Sequence, residues 1–386
     1  MTRAARGTAF FYLVMFAAIG VHLPFWPIWL QDWGLSAGEV GLYVSLGTAV
    51  RVVAGFAIPV LADRLGQRRT VMAWTAGVAA AIFAGHALIG EKALLLAATL
   101  ASGAAFAGLL PLGEALGAAA AQRHRFSYAP VRAVGSFGLL AMSLLIGSLG
   151  AALGSDAILA TLTVLLAATA LLAPAHPGGG GPRVPPPPWS AIGRLLLNPV
   201  FALFAVGAAL TQSSHGVLYA YGSLHWRALG MSEGTIGALW AFAVAVEILV
   251  MLLFGQRLVE RLGAVPTLAL GAAAGVVRWG LMGFDPTGAG LWILQAGHAV
   301  TFAVAHLGAI AFISRAVPEQ FGGSAQGAYT GLAGGVLQAG AMGLAALLYP
   351  ALGGGTYWVA AGMSAAALAA TLLLARRWDG RPLSVS

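Results

Sequence analysis

Twelve stretches of this chain are each long and apolar enough to cross the hydrocarbon core of a bilayer, and no other feature restricts the fold as strongly. A crossing helix needs about 20 apolar residues. The stretches lie at residues 8–30, 40–62, 70–90, 93–120, 130–152, 156–173, 199–226, 232–255, 264–284, 288–313, 324–348 and 355–375. In lipid every backbone N–H and C=O must be satisfied internally, which leaves helices or a closed barrel. The stretches are continuous and rich in Ala, Leu and Gly, without the alternation of a barrel strand. The expected fold is an all-α integral membrane protein of twelve transmembrane helices. Composition agrees, because 59% of the 386 residues are hydrophobic and 8% are charged, where soluble domains carry about 25% charged residues.

A net charge of +8 would suggest nucleic acid in a soluble protein. The placement of the charges removes that reading. Outside the spans, every Lys and Arg except Lys92 and Arg227 falls on the side that carries the N-terminus. The positive-inside rule therefore predicts cytoplasmic termini, and the expected location is the plasma membrane, the inner membrane in a bacterium. The chain has no cysteine, which excludes disulfides and thiolate metal sites.

The spans divide into two sets of six. From Pro174 to Pro188 the sequence reads PAHPGGGGPRVPPPP, too rich in breakers for a helix or strand. Residues 1–173 form the expected N-terminal six-helix half, 174–198 a cytoplasmic linker, 199–375 the C-terminal half and 376–386 a cytoplasmic tail. The halves also resemble each other. Gly34-Leu35-Ser36 with Val40-Gly41 matches Gly230-Met231-Ser232 with Ile236-Gly237, and Asp63-Arg64-Leu65-Gly66 matches Glu260-Arg261-Leu262-Gly263. Such parallel repeats are related by an axis along the membrane normal. Gly327, Gly331, Gly335 and Gly340 are expected to let neighbouring helix backbones approach closely.

Charged groups at mid-membrane are costly, so each should face a cavity or a partner. Arg51 lies about 18 Å, at 1.5 Å per residue, from Asp63 at the cytoplasmic end of its span. Glu247 and Arg278 are similarly deep in the eighth and ninth spans, and Arg278 is expected to reach Glu247. Glu114 and Arg132 sit nearer the cytoplasmic side, within reach of each other. For any of these charges the alternative is a structural ion pair between helices. Gln212, His215 and Tyr219 share one helical face, as do His22, Trp26 and Trp29. Arg51, Arg132 and Arg278 against Glu114 and Glu247 leave one uncompensated positive charge, which favours an anionic cargo.

The loop Asp63-Arg64-Leu65-Gly66-Gln67-Arg68-Arg69 resembles the signature G-x-x-x-D-R-x-G-R-R of the major facilitator superfamily, with Pro59 in place of its first Gly. The resemblance implies that Asp63, Arg64, Gly66, Arg68 and Arg69 form a conformational gating loop. Leu23-Pro24-Phe25-Trp26-Pro27-Ile28-Trp29-Leu30, Gly275-Val276-Val277-Arg278-Trp279-Gly280 and the segment from His298 to His306 look like the phenylpropionate permease family. In the fifth span the family's Arg and Gly-Ser are kept at Arg132 and Gly135-Ser136, while its Lys and Trp are replaced. Glu114, Arg132, Glu247, Arg278 and His298 also follow the order of functional side chains in the lactose permease and the oligosaccharide:proton symporters. One turn after His298, where that family carries a proton-bearing carboxylate, this chain has Thr301.

The function expected is secondary active transport, a proton symport of a small, aromatic or other carboxylate by alternating access. A proton-coupled sugar or nucleoside symporter and a drug efflux antiporter are the alternatives. Arg278, Arg51, Trp26, His215, Tyr219 and Arg132 are the expected substrate-binding residues, and Glu247, Glu114 and His298 the proton-coupling ones. An enzyme is not expected, since the chain has no GxSxG, HExxH or paired catalytic Asp motif. No cofactor or metal is expected, and the lack of a GxxxxGK[ST] loop leaves ATP drive unsupported. The expected partners are the cargo, protons and the lipid bilayer, with no nucleic acid, and the chain is expected to act as a monomer.

Overall fold

The computed structural model describes residues 1–179, 189–318 and 321–384. Most of the Pro-rich linker, including Arg183, lies outside the described residues. In chain order the helices are α1 (Arg3–Asp32), α2 (Ala37–Leu65), α3 (Arg68–Gly85), α4 (Lys92–Ala107), α5 (Leu109–His124), α6 (Tyr128–Leu153), α7 (Asp156–Leu172), α8 (Trp189–Leu197) and α9 (Pro199–Ser213). They continue as α10 (Gly216–Ala228), α11 (Glu233–Val250), α12 (Gln256–Leu262), α13 (Ala264–Met282), α14 (Gly288–Ala296), α15 (Ala305–Ala316), α16 (Gly322–Gly331), α17 (Leu337–Leu352) and α18 (Tyr357–Arg377).

Eleven helical runs among the described residues are long and apolar enough to span a membrane. The last of them, Ser324–Arg377, is interrupted by a 3₁₀ turn at Gly353–Thr356, where Gly353 takes φ 52°. That conformation suits Gly and ends α17, so the run divides into two helices, in keeping with twelve crossings. Several crossings that read as single stretches in the sequence are broken. Lys92–His124 breaks at Gly108 and Pro199–Ala228 at Ser214 and His215. Single π-helical turns interrupt others at Met251–Gly255, Ala299–Val304 and Leu332–Val336. A π turn inserts one residue into the helical repeat and re-aims the side chains that follow it.

The chain forms two compact units, one comprising Met1–Arg183 with Ala220–Ala241, the other Val184–Tyr219 with Phe242–Ser386. In the first unit α1 is central: Tyr12, Val21, Phe25, Ile28 and Leu30 are among its many buried residues, whereas few residues of α2 are buried. It lies against α6 so closely that a Cβ on Gly20 would stand 2.3 Å from the Leu139 carbonyl oxygen. Only a residue without a side chain permits that approach. Residues 220–241 are held to this unit by Arg227, which donates to Asp32 at 2.5 and 3.2 Å and to Glu233 at 3.3 Å, and by the Tyr221 hydroxyl on the Ala37 carbonyl at 2.9 Å. In the second unit α13 packs on α15 and α18, and α9 on α18, around a core that includes Phe204, Leu268, Phe312 and Tyr329. Gly327, Gly331 and Gly340 do not act as close-approach sites. A Cβ on any of them would meet nothing within 4 Å among the described residues. Tight glycines of this unit include Gly271, facing Ala305, Gly308, facing Leu268, and Gly275, facing Ser364.

Candidate functional site

The second unit gathers polar side chains around α13. Arg278 is 3% exposed, with its guanidinium 4.2 Å from the Trp279 ring. Nε donates to the Leu294 carbonyl at 2.7 Å, one terminal nitrogen to Thr301 Oγ1 at 2.9 Å and the other to Gln295 Oε1 at 3.0 Å. The sequence led us to expect Arg278 on Glu247, yet all three of these acceptors are neutral. The reason is the irregular helix opposite. The π turn at Ala299–Val304 brings Thr301 to Arg278, and the Glu247 carboxylate lies 3.3 Å from His298 Nε2.

Thr301 also links Arg278 to His215. The Thr301 hydroxyl lies 3.0 Å from His215 Nε2, and His215 Nδ1 lies 3.0 Å from the Gln212 carbonyl. A carbonyl only accepts, so Nδ1 carries the hydrogen and Nε2 accepts from Thr301. The resulting chain of donors runs from Arg278 through Thr301 and His215 to Gln212. His215 sits at the break between α9 and α10, and its ring is 5.2 Å from His298 and 6.0 Å from Tyr219. His298 stacks on Phe302 at 5.1 Å, and its buried Nδ1 has no hydrogen-bond partner among the described residues. Glu247, His298, His215, Tyr219 and Arg278 therefore form one neighbourhood. Thr301 and Gln295 complete it. The sequence offered one signal for the former, the hydroxyl residue in place of an expected carboxylate.

In the first unit Arg51 stands midway along α2, over the Phe106 ring of α4 at 4.9 Å from guanidinium carbon to centroid. Phe106 stacks on His22 at 4.9 Å, His22 on Trp26 at 5.9 Å and Trp26 on Trp29 at 4.9 Å. The expected aromatic face of the first helix is thus one end of a column that reaches Arg51. Phe106 was not legible as its link, since nothing in the sequence marks it among the other Phe residues.

Glu114 and Arg132 are paired, the Arg132 Nε donating to the Glu114 carboxylate. The Tyr128 hydroxyl donates to the same carboxylate, and Tyr12 lies 3.0 Å from Tyr128 and donates to the Gly113 carbonyl at 3.2 Å. Phe16 covers the guanidinium at 4.0 Å. This arrangement fixes Arg132 against Glu114.

The signature-like loop is a helix stop and restart. Gly66 closes α2 with φ 69° and its N–H on Asp63 and Ala62, and Asp63 pairs with Arg68 at 2.5 Å across the turn. Arg64 is exposed in the last turn of α2. Arg69 Nε donates to the Gly178 carbonyl at 2.5 Å, docking the start of the linker. His176 is buried there, accepting from the Gly178 N–H at 3.0 Å with Phe11 edge-on at 4.9 Å. Burial, and then the Arg69 charge, lower its pKa to about 4.

A family model described as the MFS_1 like family matches residues 7–346. Over 367 residues the chain is 30% identical to a protein of Escherichia coli (strain K12) named "Probable 3-phenylpropionic acid transporter", covering 93% of this chain and 95% of that one. It is 27% identical over 356 residues to the maltose permease of Geobacillus stearothermophilus, covering 86% and 85% respectively. Among solved structures, the nucleoside transporter NupG superposes with a TM-score of 0.79 over 98% of this chain and all of that chain, at 16% identity. An autoinhibited POT family peptide transporter gives 0.69 over 100% and 99%, at 15% identity. At these identities the structural likeness shows the fold alone.

Proposed function

The chain belongs to the MFS_1 like family and is a multi-pass membrane transporter, and from that premise we propose that it carries a small organic anion, aromatic carboxylates among them, in symport with protons. The observation that carries this reading is the state of Arg51 and Arg278. Both lie deep in apolar helices, and every partner the structure gives either one is neutral. A buried cation surrounded by neutral groups favours an anionic ligand. The Escherichia coli relative, named for an aryl acid, points the same way. Trp26, in the ring column that Phe106 and His22 extend to Arg51, and His215 and Tyr219 beside Arg278, are the proposed companions in cargo binding. Glu247 with His298 is the proposed proton site, and Glu114, held by Arg132, a second carboxylate for that role.

In this proposal residues 1–173 and 199–375 act as the two halves of an alternating-access carrier, with both termini and the linker in the cytoplasm. The chain works as a monomer in the plasma membrane, the inner membrane of a bacterium. The signature-like loop, through the Asp63–Arg68 pair and the Arg69–Gly178 bond, takes the gating role.

Voltage tests the charge of the cargo. One monoanion entering with one proton moves no net charge, whereas a neutral sugar with a proton moves one charge, worth about 2.3 kcal/mol per 100 mV. Uptake into vesicles at equal pH should therefore ignore an imposed potassium diffusion potential. Strong voltage-driven accumulation would reject one-to-one monoanion symport.

A further inference from the structure

The organic-anion reading leaves open which arginine receives the carboxylate, and the geometry separates the three in-span candidates. Arg132 is already paired with Glu114 and covered by Phe16. Arg278 is 3% exposed and has all three of its nitrogens engaged, in bonds of 2.7 to 3.0 Å. Arg51 differs from both. It is partly exposed, and among the described residues its guanidinium has no hydrogen-bond or ion-pair partner.

Its orientation is set by its neighbours. Gly47 and Gly55, one turn to either side, face α4: a Cβ on the opposing Gly103 would lie 3.0 Å from the Gly47 carbonyl oxygen, and one on Gly55 3.7 Å from that of Ala107. Val53, on the other side of α2, is 72% exposed. Arg51 thus points toward protein, on the tightly packed face of its helix. There the Phe106 ring takes one face of the guanidinium. A ring in that position attracts the cation without using any of its N–H groups, so the planar fork stays available to a carboxylate. The stack of His22, Trp26 and Trp29 behind Phe106 holds the ring in place.

We infer that Arg51 is the seat of the cargo's carboxylate, that Phe106 is the platform that orients it, and that the cargo is a monocarboxylate whose flat apolar tail lies along these rings. This rests on the organic-anion reading above. It gives the carboxylate to Arg51 and leaves Arg278 to hold Thr301, and through it His215, in place for the rest of the cargo.

Binding to the purified full-length protein, followed by calorimetry, tests the assignment with two probes, 3-phenylpropionate and the neutral 3-phenylpropanamide. The parent should prefer the acid by about tenfold or more, the value of a charge-assisted fork. Arg51→Gln should bring the ratio close to one, and Arg51→Lys should recover part of it. Phe106→Leu should lower the ratio, where a packing loss alone would weaken both probes and keep it, and Phe106→Tyr, which retains the ring face, should restore it. Arg278→Gln should weaken both probes in parallel and keep the ratio.

Full acid preference in Arg51→Gln overturns the inference. So does collapse of the preference in Arg278→Gln alone, a result that keeps the organic-anion reading and moves the seat to the second unit. Equal binding of both probes by the parent rejects that reading itself. If Arg51→Gln fails to fold, an unchanged ratio in Arg51→Lys and Phe106→Leu overturns the assignment.

Discussion

Replacing Thr301 with Val exchanges a hydroxyl for a methyl of nearly the same size, so its effect isolates one oxygen. That oxygen accepts from Arg278 at 2.9 Å, lies 3.0 Å from His215 Nε2, and belongs to a side chain 1% exposed. Its loss leaves one guanidinium N–H and one imidazole nitrogen buried without a partner. Each orphaned group costs about 1–3 kcal/mol, the charged one at the upper end. Hydrogen bonds within membrane bundles average nearer 0.6 kcal/mol, because the unfolded state in lipid finds other partners. Two such losses place the destabilisation between about 1 and 6 kcal/mol. Unfolding of the purified protein by SDS titration in mixed micelles reads this directly. Thr301→Ser, which keeps the hydroxyl, should stay within about 1 kcal/mol of the parent. If Thr301→Val unfolds at the parent's SDS fraction, Thr301 does not support Arg278, and the donor chain to His215 has no energetic weight.

Glu247→Gln, a fixed mimic of the protonated carboxyl, should keep exchange of cargo across vesicles and lose accumulation driven by a pH gradient. Retained accumulation would move the proton to Glu114 or His298. The docked linker should also respond to pH. Because the pKa of His176 is about 4 in the folded chain against about 6.5 unfolded, the unfolded state binds the extra proton between those values, so stability is full above pH 6.5 and falls as pH drops toward 4. His176→Asn, whose side-chain oxygen can still accept from the Gly178 N–H, should flatten the decline in melting temperature over that window, and an unchanged slope would place the titration elsewhere.

The fold was legible because lipid permits so few solutions: length and continuity of the apolar runs suffice to name a helical bundle. The interruptions were less so. Gly353 follows Leu352 in a glycine run, Gly353-Gly354-Gly355, that any reader would suspect. By contrast Ala299–Val304 reads as ordinary apolar helix, and nothing local in it marks a π turn. The same limit applies to close packing. Gly20 and Gly327 look alike in sequence, yet one meets a backbone oxygen and the other open space, because that depends on the neighbouring helix.

Charge could be summed from the sequence, but its pairing could not, and the pairing changes what the sum means. Three in-span arginines against two glutamates leave one positive charge wherever they sit. In the structure Glu114 cancels Arg132 within one unit, while Glu247 is brought to His298. The excess then appears as two arginines with neutral partners, one in each unit. These are not equivalent. Leu294, Gln295 and Thr301 solvate Arg278 with oxygen, as water would, and spread its charge over fixed dipoles. Phe106 offers Arg51 only a ring face, which stabilises a cation without meeting its donors. Of two residues equal in type and similar in depth, the one held by a ring has the stronger demand for an external carboxylate. That distinction rests on which neighbours the helices present, information carried by α4 and by the π turn after His298 rather than by either arginine.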